Sequence, residues 1–72
     1  MPTKNQKRAK RVNDALKFYK ANGLEEDGPI CKDTLTDFLT DLRHWADAHG
    51  FDLHDRLNMS YQHYVDEKIV ED

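Results

Sequence analysis

One stretch of the sequence repeats apolar residues with the period of an α-helix, and this pattern constrains the fold more than any other feature. Residues with i, i+3, i+4 and i+7 spacing share one face of a helix. The apolar residues with this spacing are Leu35, Phe38, Leu39, Leu42, Trp45 and Ala46. Asp33 or Thr34 can cap the start, and Gly50 can adopt the left-handed conformation that ends a helix. The sequence predicts a helix over residues 34–49.

A first helix is predicted over residues 4–22. Around Val12, apolar side chains fall on one side of a helical wheel, and Asn22 and Gly23 form a stop signal. Residues 24–32 contain glycine, proline and three acidic residues, so we expect a loop there.

A third helix is predicted over residues 53–68. Asp52 and Asp55 form a start signal, which leaves only a short corner after the second helix. The apolar stripe expected to face the core consists of Leu53, Leu57, Tyr61 and Tyr64. With no strand pattern and no repeat, the chain is expected to be an all-α, three-helix protein forming a single domain over residues 1–72.

The small size of the chain limits its stability and its compartment. A chain of 72 residues buries only about 60% of the surface that its unfolded form exposes, so a dimer or a bound partner would add stability. The single cysteine, Cys31, forms no intrachain disulfide, whereas small secreted domains usually carry several. The N-terminus lacks the apolar segment of a signal peptide, and no run is long enough to span a bilayer. We therefore expect a cytoplasmic protein with no membrane contact.

Charge is divided unevenly along the chain. Residues 1–22 contain seven basic residues against Asp14 alone, and the remainder contains thirteen acidic residues against four basic ones. On the first helix, Lys7, Lys10 and Arg11 lie opposite the apolar stripe, together with Phe18. Cations beside an aromatic ring suit contact with a protein or with nucleic acid. An ordinary solvated helix face is the alternative.

Three carboxylates recur every fourth residue on the second helix, at Asp33, Asp37 and Asp41. Their spacing of about 6 Å approaches that of phosphates along a nucleic-acid strand. Such a row can mimic nucleic acid and occupy a basic cleft of another protein. Outward-facing acids are also ordinary on an amphipathic helix, so both interpretations stay open.

Several other classes of function find little support in the sequence. There is no glycine-rich phosphate loop and no nucleophile paired with a base, so we predict no catalytic residues, no enzyme activity and no cofactor. Cys31 follows three acidic residues, which are expected to disfavour its thiolate. The four histidines lack the spacing of a metal site, and none is predicted. The third helix is acidic and would be repelled by DNA phosphates, which argues against a helix-turn-helix motif that binds the major groove with this helix.

About half of the chain resembles a group of short helical proteins. The segment 33–67 contains the helix ending LTDLRHWADAHG, the restart FDLHDRL and the adjacent pair His63 and Tyr64. In these parts it resembles uncharacterised proteins encoded by bacteriophages, plasmids and other bacterial mobile elements. The resemblance implies an origin and no activity, and it assigns no role to any residue.

These observations favour a non-enzymatic accessory protein of a phage or mobile element. It would bind, and inhibit, a bacterial host protein complex such as a defence or nucleic-acid-processing system. The contact residues would be Lys7, Lys10, Arg11 and Phe18 on one helix and Asp33, Asp37 and Asp41 on another. The alternative is a small nucleic-acid-binding or transcriptional regulator that uses residues 4–20. Under either hypothesis the chain can form a homodimer.

Overall fold

The structure is a computed structural model that describes residues 1–70 of the chain, so the last two residues of the predicted domain lie outside the described part. Three α-helices follow one another: α1 (Lys4–Phe18), α2 (Lys32–His49) and α3 (Leu53–Ile69). A π-helical turn, Tyr19–Gly23, continues α1. The all-α, three-helix fold predicted from the sequence is confirmed.

The starts of α1 and α2 differ in how well the sequence predicted them. Thr3 and Gln6 form a reciprocal capping box at α1, in which the Gln6 N–H donates to Thr3 Oγ1 at 3.1 Å. At α2 the predicted cap, Asp33 or Thr34, is wrong, because the cap is Cys31 and the helix begins at Lys32. Thr34 is instead the third helical residue, and its hydroxyl accepts the Cys31 N–H at 3.2 Å.

The corner between α2 and α3 has the predicted geometry. Gly50 ends α2 with φ 72°, a left-handed conformation, and the Phe51 N–H donates to Ala46 O at 2.9 Å. Asp52 then caps α3, since its Oδ1 accepts the Asp55 N–H at 3.1 Å. Only three residues, Gly50–Asp52, therefore separate α2 from α3.

The three helices enclose little apolar material. Among residues 1–70, the buried apolar side chains are Leu16 on α1 and Ala46 on α2. The prediction that a stripe on α3 faces the core was wrong, because α3 has no buried residue. The stripe consists of Leu53, Leu57, Tyr61 and Tyr64. Its spacing is helical as predicted, but Leu57, Tyr61 and Tyr64 remain 41%, 62% and 54% exposed.

The far end of α3 is attached to the beginning of α1 by polar contacts. The Asn5 amide donates to Glu67 O at 3.0 Å, and Arg8 Nε lies 2.9 Å from Glu67 Oε2. The resulting body measures 37 × 32 × 17 Å and has a radius of gyration of 14.1 Å. A compact domain of this length would have a radius of gyration of about 11 Å, so the arrangement is open and flat.

Within residues 1–70, no helix combines the length with the apolar character that crossing a bilayer requires.

Candidate protein-binding surface

Aromatic rings gather at the C-terminal end of α2. The Trp45 ring stacks on His49 with centroids 4.3 Å apart, and Phe51 follows at 5.6 Å from Trp45. His49 is held in place because its Nδ1 lies 2.8 Å from Trp45 O, one turn earlier. Trp45 nevertheless remains 51% exposed. We call Trp45, His49 and Phe51, together with Phe38 and Tyr19, the aromatic patch.

A shallow depression of about 350 Å³ lies within this patch, where the end of α1 meets α2. Tyr19 forms an edge-to-face contact with Phe38, with ring centroids 5.1 Å apart. Leu42 and Trp45 continue the apolar wall, and Asp41 supplies the one carboxylate on it. The depression is therefore apolar with a single acidic side.

The Tyr19 hydroxyl fixes the geometry of that acidic side. It donates to Asp41 Oδ2 at 2.5 Å. This hydrogen bond, with burial and the negative charges of Asp41 and Asp37, raises the pKa of Tyr19 to about 12. The phenol is protonated at neutral pH and orients the carboxylate, and the raised pKa extends this arrangement to higher pH.

The predicted acidic stripe is present on α2, and its three members differ in surroundings. Asp33, Asp37 and Asp41 are all exposed. Asp37 and Asp41 act on Tyr19 and so lie beside the depression. Asp33 is in the first turn of α2, where a carboxylate interacts favourably with the helix dipole. Two of the three carboxylates, those of Asp37 and Asp41, therefore lie beside the aromatic patch.

The predicted basic face is also present on α1. Lys7 and Arg11 border a second shallow depression of about 350 Å³, which Lys4 and Arg8 complete. Phe18 is 70% exposed on the same side, as predicted. Lys10 forms an ion pair with Asp14, the only acidic residue of segment 1–22, with Lys10 Nζ 2.8 Å from Asp14 Oδ2.

One of the basic residues does not contribute to this surface. Lys20 is buried, and its Nζ donates to Pro29 O at 2.9 Å and to Thr34 Oγ1 at 3.4 Å. Lys20 therefore attaches the loop after α1 to the start of α2. Lys20 is one of the seven basic residues of segment 1–22, and its position four residues after Leu16 places it beside the apolar side of the helix.

Cys31 differs from its prediction. The Thr34 side chain lowers the pKa of the Cys31 thiol, with further lowering from the backbone N–H groups of Thr34 and Asp33 at the start of α2. The expectation that neighbouring acids disfavour the thiolate was wrong, because the helix terminus provides closer donors. Cys31 is exposed, with its Sγ 3.5 Å from Thr34 Oγ1.

Neither metal-binding geometry nor similarity to known proteins identifies a further functional site in the described part of the chain. Across the part of the chain that the structure describes, no three His, Cys, Asp or Glu side chains come together in a way that would hold a metal ion. No known family model matches this chain, and no curated protein or solved structure is similar enough to count as a relative.

Proposed function

We propose that this is a non-enzymatic, cytoplasmic accessory protein of a bacteriophage or mobile element, and that it binds and inhibits a bacterial host protein complex. The observation that carries the proposal is the half-exposed Trp45, stacked on His49 beside an apolar depression. Tryptophan and tyrosine side chains next to a cavity dominate the energetics of many protein interfaces.

The charges around the aromatic patch indicate the chemistry of the partner. Asp41 lies on the depression itself, and Asp37 is close enough to act on Tyr19. A partner that places an apolar side chain in the depression therefore meets carboxylates at its rim. We expect a complementary surface with lysine or arginine beside an apolar anchor, as found in proteins that handle nucleic acids.

Affinity capture from a bacterial lysate tests this function. The wild-type chain is compared with Trp45→Ala, which removes the central ring, and with Met59→Ala, which truncates a similarly exposed apolar residue on α3. The proposal requires a bacterial protein that is captured by wild type and by Met59→Ala but not by Trp45→Ala. With that protein purified, the Kd of Trp45→Ala should be at least ~30-fold weaker than the Kd of wild type. If no protein is retained at low or moderate salt, or if all three variants retain the same proteins, the proposal is wrong.

Nucleic-acid binding is the second candidate, and the cluster formed by Lys7, Arg11 and their neighbours on α1 favours it. It ranks second because Arg8 is engaged by Glu67 and Lys10 by Asp14. If α1 lies along phosphates, binding falls steeply with salt, and log K has a slope of about −0.9 per neutralised phosphate. Reversing Lys7, Lys10 and Arg11 to glutamate then abolishes binding. A flat titration with both DNA and RNA at low salt eliminates this candidate.

A further inference from the structure

The apolar face of α3 is an uncovered surface separate from the aromatic patch on α2. Leu57 is 41% exposed and Tyr61 is 62% exposed, and Tyr64 continues the same stripe. At one end this stripe enters a recess of about 430 Å³ between α1 and α3, whose apolar lining includes Val12 and Tyr64. Arg8 and Glu67 form part of its rim. We call the stripe and the recess together the α3 face.

The area that the chain leaves exposed is too large for a compact monomer. The structure exposes 6182 Å², whereas a folded monomer of 8.5 kDa exposes about 4,700 Å². The difference is about 1,500 Å². If two copies each cover half of this excess, the interface buries about 1,500 Å² in total, which is the usual size of a specific complex.

We propose that the α3 face is a homodimer interface in which the α3 helices of two copies pack antiparallel about a two-fold axis. A domain this small with one cysteine has no disulfide to offset its open core, so another chain must cover the apolar surface as soon as the protein folds. A second copy is the one partner present wherever the chain is made.

The sequence of α3 suits pairing with itself in the antiparallel direction. An axis near residues 60 and 61 places Leu57 of one copy against Tyr64 of the other, with the two Tyr61 rings adjacent. The same register brings Lys68 of each copy to the end where Asp52 caps the other helix. Helix dipoles of opposite direction then lie side by side, which is favourable. Each recess between α1 and α3 can receive an apolar side chain of the other copy.

Sedimentation equilibrium over a range of concentrations tests this interface directly. We expect a dimer for wild type and at least a ~100-fold weaker association for Leu57→Glu, which buries a carboxylate in each half of the interface. Met59→Glu is the matched control, because Met59 is 45% exposed and lies two residues from Leu57, on the opposite side of α3. A wild-type monomer at all concentrations, which would leave the α3 face to a different protein, overturns the proposal. Equal dissociation by both variants also overturns it.

A thiol introduced on the two-fold axis gives a result that does not depend on how well Leu57→Glu folds. In a Cys31→Ser background, Tyr61→Cys places two sulfurs next to each other across the axis, and mild oxidation links the copies covalently. Met59→Cys places them on the outside of the pair. We expect rapid, concentration-independent cross-linking for Tyr61→Cys and slow cross-linking for Met59→Cys. Equal rates contradict the antiparallel register. Because Trp45 is outside this interface, dimerisation and partner capture can fail independently of each other.

Discussion

Lys20 gives the sharpest test of how this small protein is held together. It is 9% exposed, and its ammonium group donates to Pro29 O and Thr34 Oγ1 across the loop that joins α1 to α2. Replacing Lys20 with methionine keeps a stem of similar length but removes the donor. The Pro29 carbonyl and the Thr34 hydroxyl then lose a charged partner in a partly buried place.

The expected loss of stability follows from the two distances. A hydrogen bond from a charged group contributes about 1.5–3 kcal/mol. The bond to Pro29 O is short, at 2.9 Å, and the bond to Thr34 at 3.4 Å adds little. We therefore expect Lys20→Met to lower the free energy of unfolding by about 2 kcal/mol. A domain of this size has about 4–10 kcal/mol in total, so the loss is a substantial fraction.

Urea unfolding followed by far-ultraviolet circular dichroism measures the effect. With a slope of about 1 kcal/mol/M, the midpoint falls by about 2 M while the slope stays constant. All variants are compared at one protein concentration, because association shifts the midpoint. Lys17→Met is the matched control, since Lys17 is an exposed lysine one turn earlier, and we expect a change below about 0.5 kcal/mol. Equal midpoints for Lys20→Met and wild type would refute the structural role of Lys20.

Three further measurements test individual contacts. Tyr19 loses its proton only near pH 12, so its contribution to stability is complete below its ordinary pKa of 10.0 and disappears as pH rises through about 12. In near-ultraviolet titration, Asp41→Asn shifts this step to lower pH, and an unchanged curve contradicts the hydrogen bond. Because its pKa is lowered, we expect the Cys31 thiol to be alkylated faster near neutral pH in the folded chain than in the urea-unfolded chain. Thr34→Val should slow alkylation of the folded chain. Equal rates for Thr34→Val and wild type would refute the role of Thr34 in lowering this pKa. Gly50→Ala should lower the free energy of unfolding by about 1 kcal/mol, because the residue has φ 72°. The space that an added Cβ would occupy is open, so the cost comes from the backbone conformation alone. An unchanged midpoint in urea unfolding would argue against the left-handed cap.

The positions of the helices could be predicted because local signals determine them. The spacing of Leu35, Leu39 and Leu42, the cap at Asp52 and the stop at Gly50 all act within a few residues of the chain. The start of α2 was missed because cysteine is an unusual cap, and its role depends on Thr34 three residues later.

The packing of the helices could not be predicted in the same way. A stripe such as Leu57 and Tyr61 reveals which side of a helix is apolar but not whether another helix covers it. In this fold Glu67 makes the hydrogen bond and the ion pair that join α3 to α1, while Leu57 and Tyr61 stay exposed. Likewise, the position of Lys20 depends on where the loop carrying Pro29 folds back, which is a tertiary contact.

The candidate surface was predicted in part. The stripe of Asp37 and Asp41 was found from its period, but its association with Tyr19 depends on how α1 meets α2. Helical spacing placed Trp45 on the apolar face of the second helix, but it did not reveal that the ring stays 51% exposed. A tryptophan at the end of a helix, followed closely by His49 and Phe51, was the signal available in the sequence.

The π-helical turn Tyr19–Gly23 makes the chain tolerant of a change in length at one place. Its backbone bond from the Leu24 N–H to Tyr19 O, at 3.0 Å, spans one residue more than an α-helical bond. Deleting Ala21 or Asn22 would let the segment close with ordinary helical bonds, while Lys20 would stay in register with α1. Because the wider turn already absorbs the extra residue, the loop beginning at Leu24 would then leave the helix in nearly the same direction. A one-residue deletion at this turn thus shortens the chain without breaking a helix or redirecting the loop.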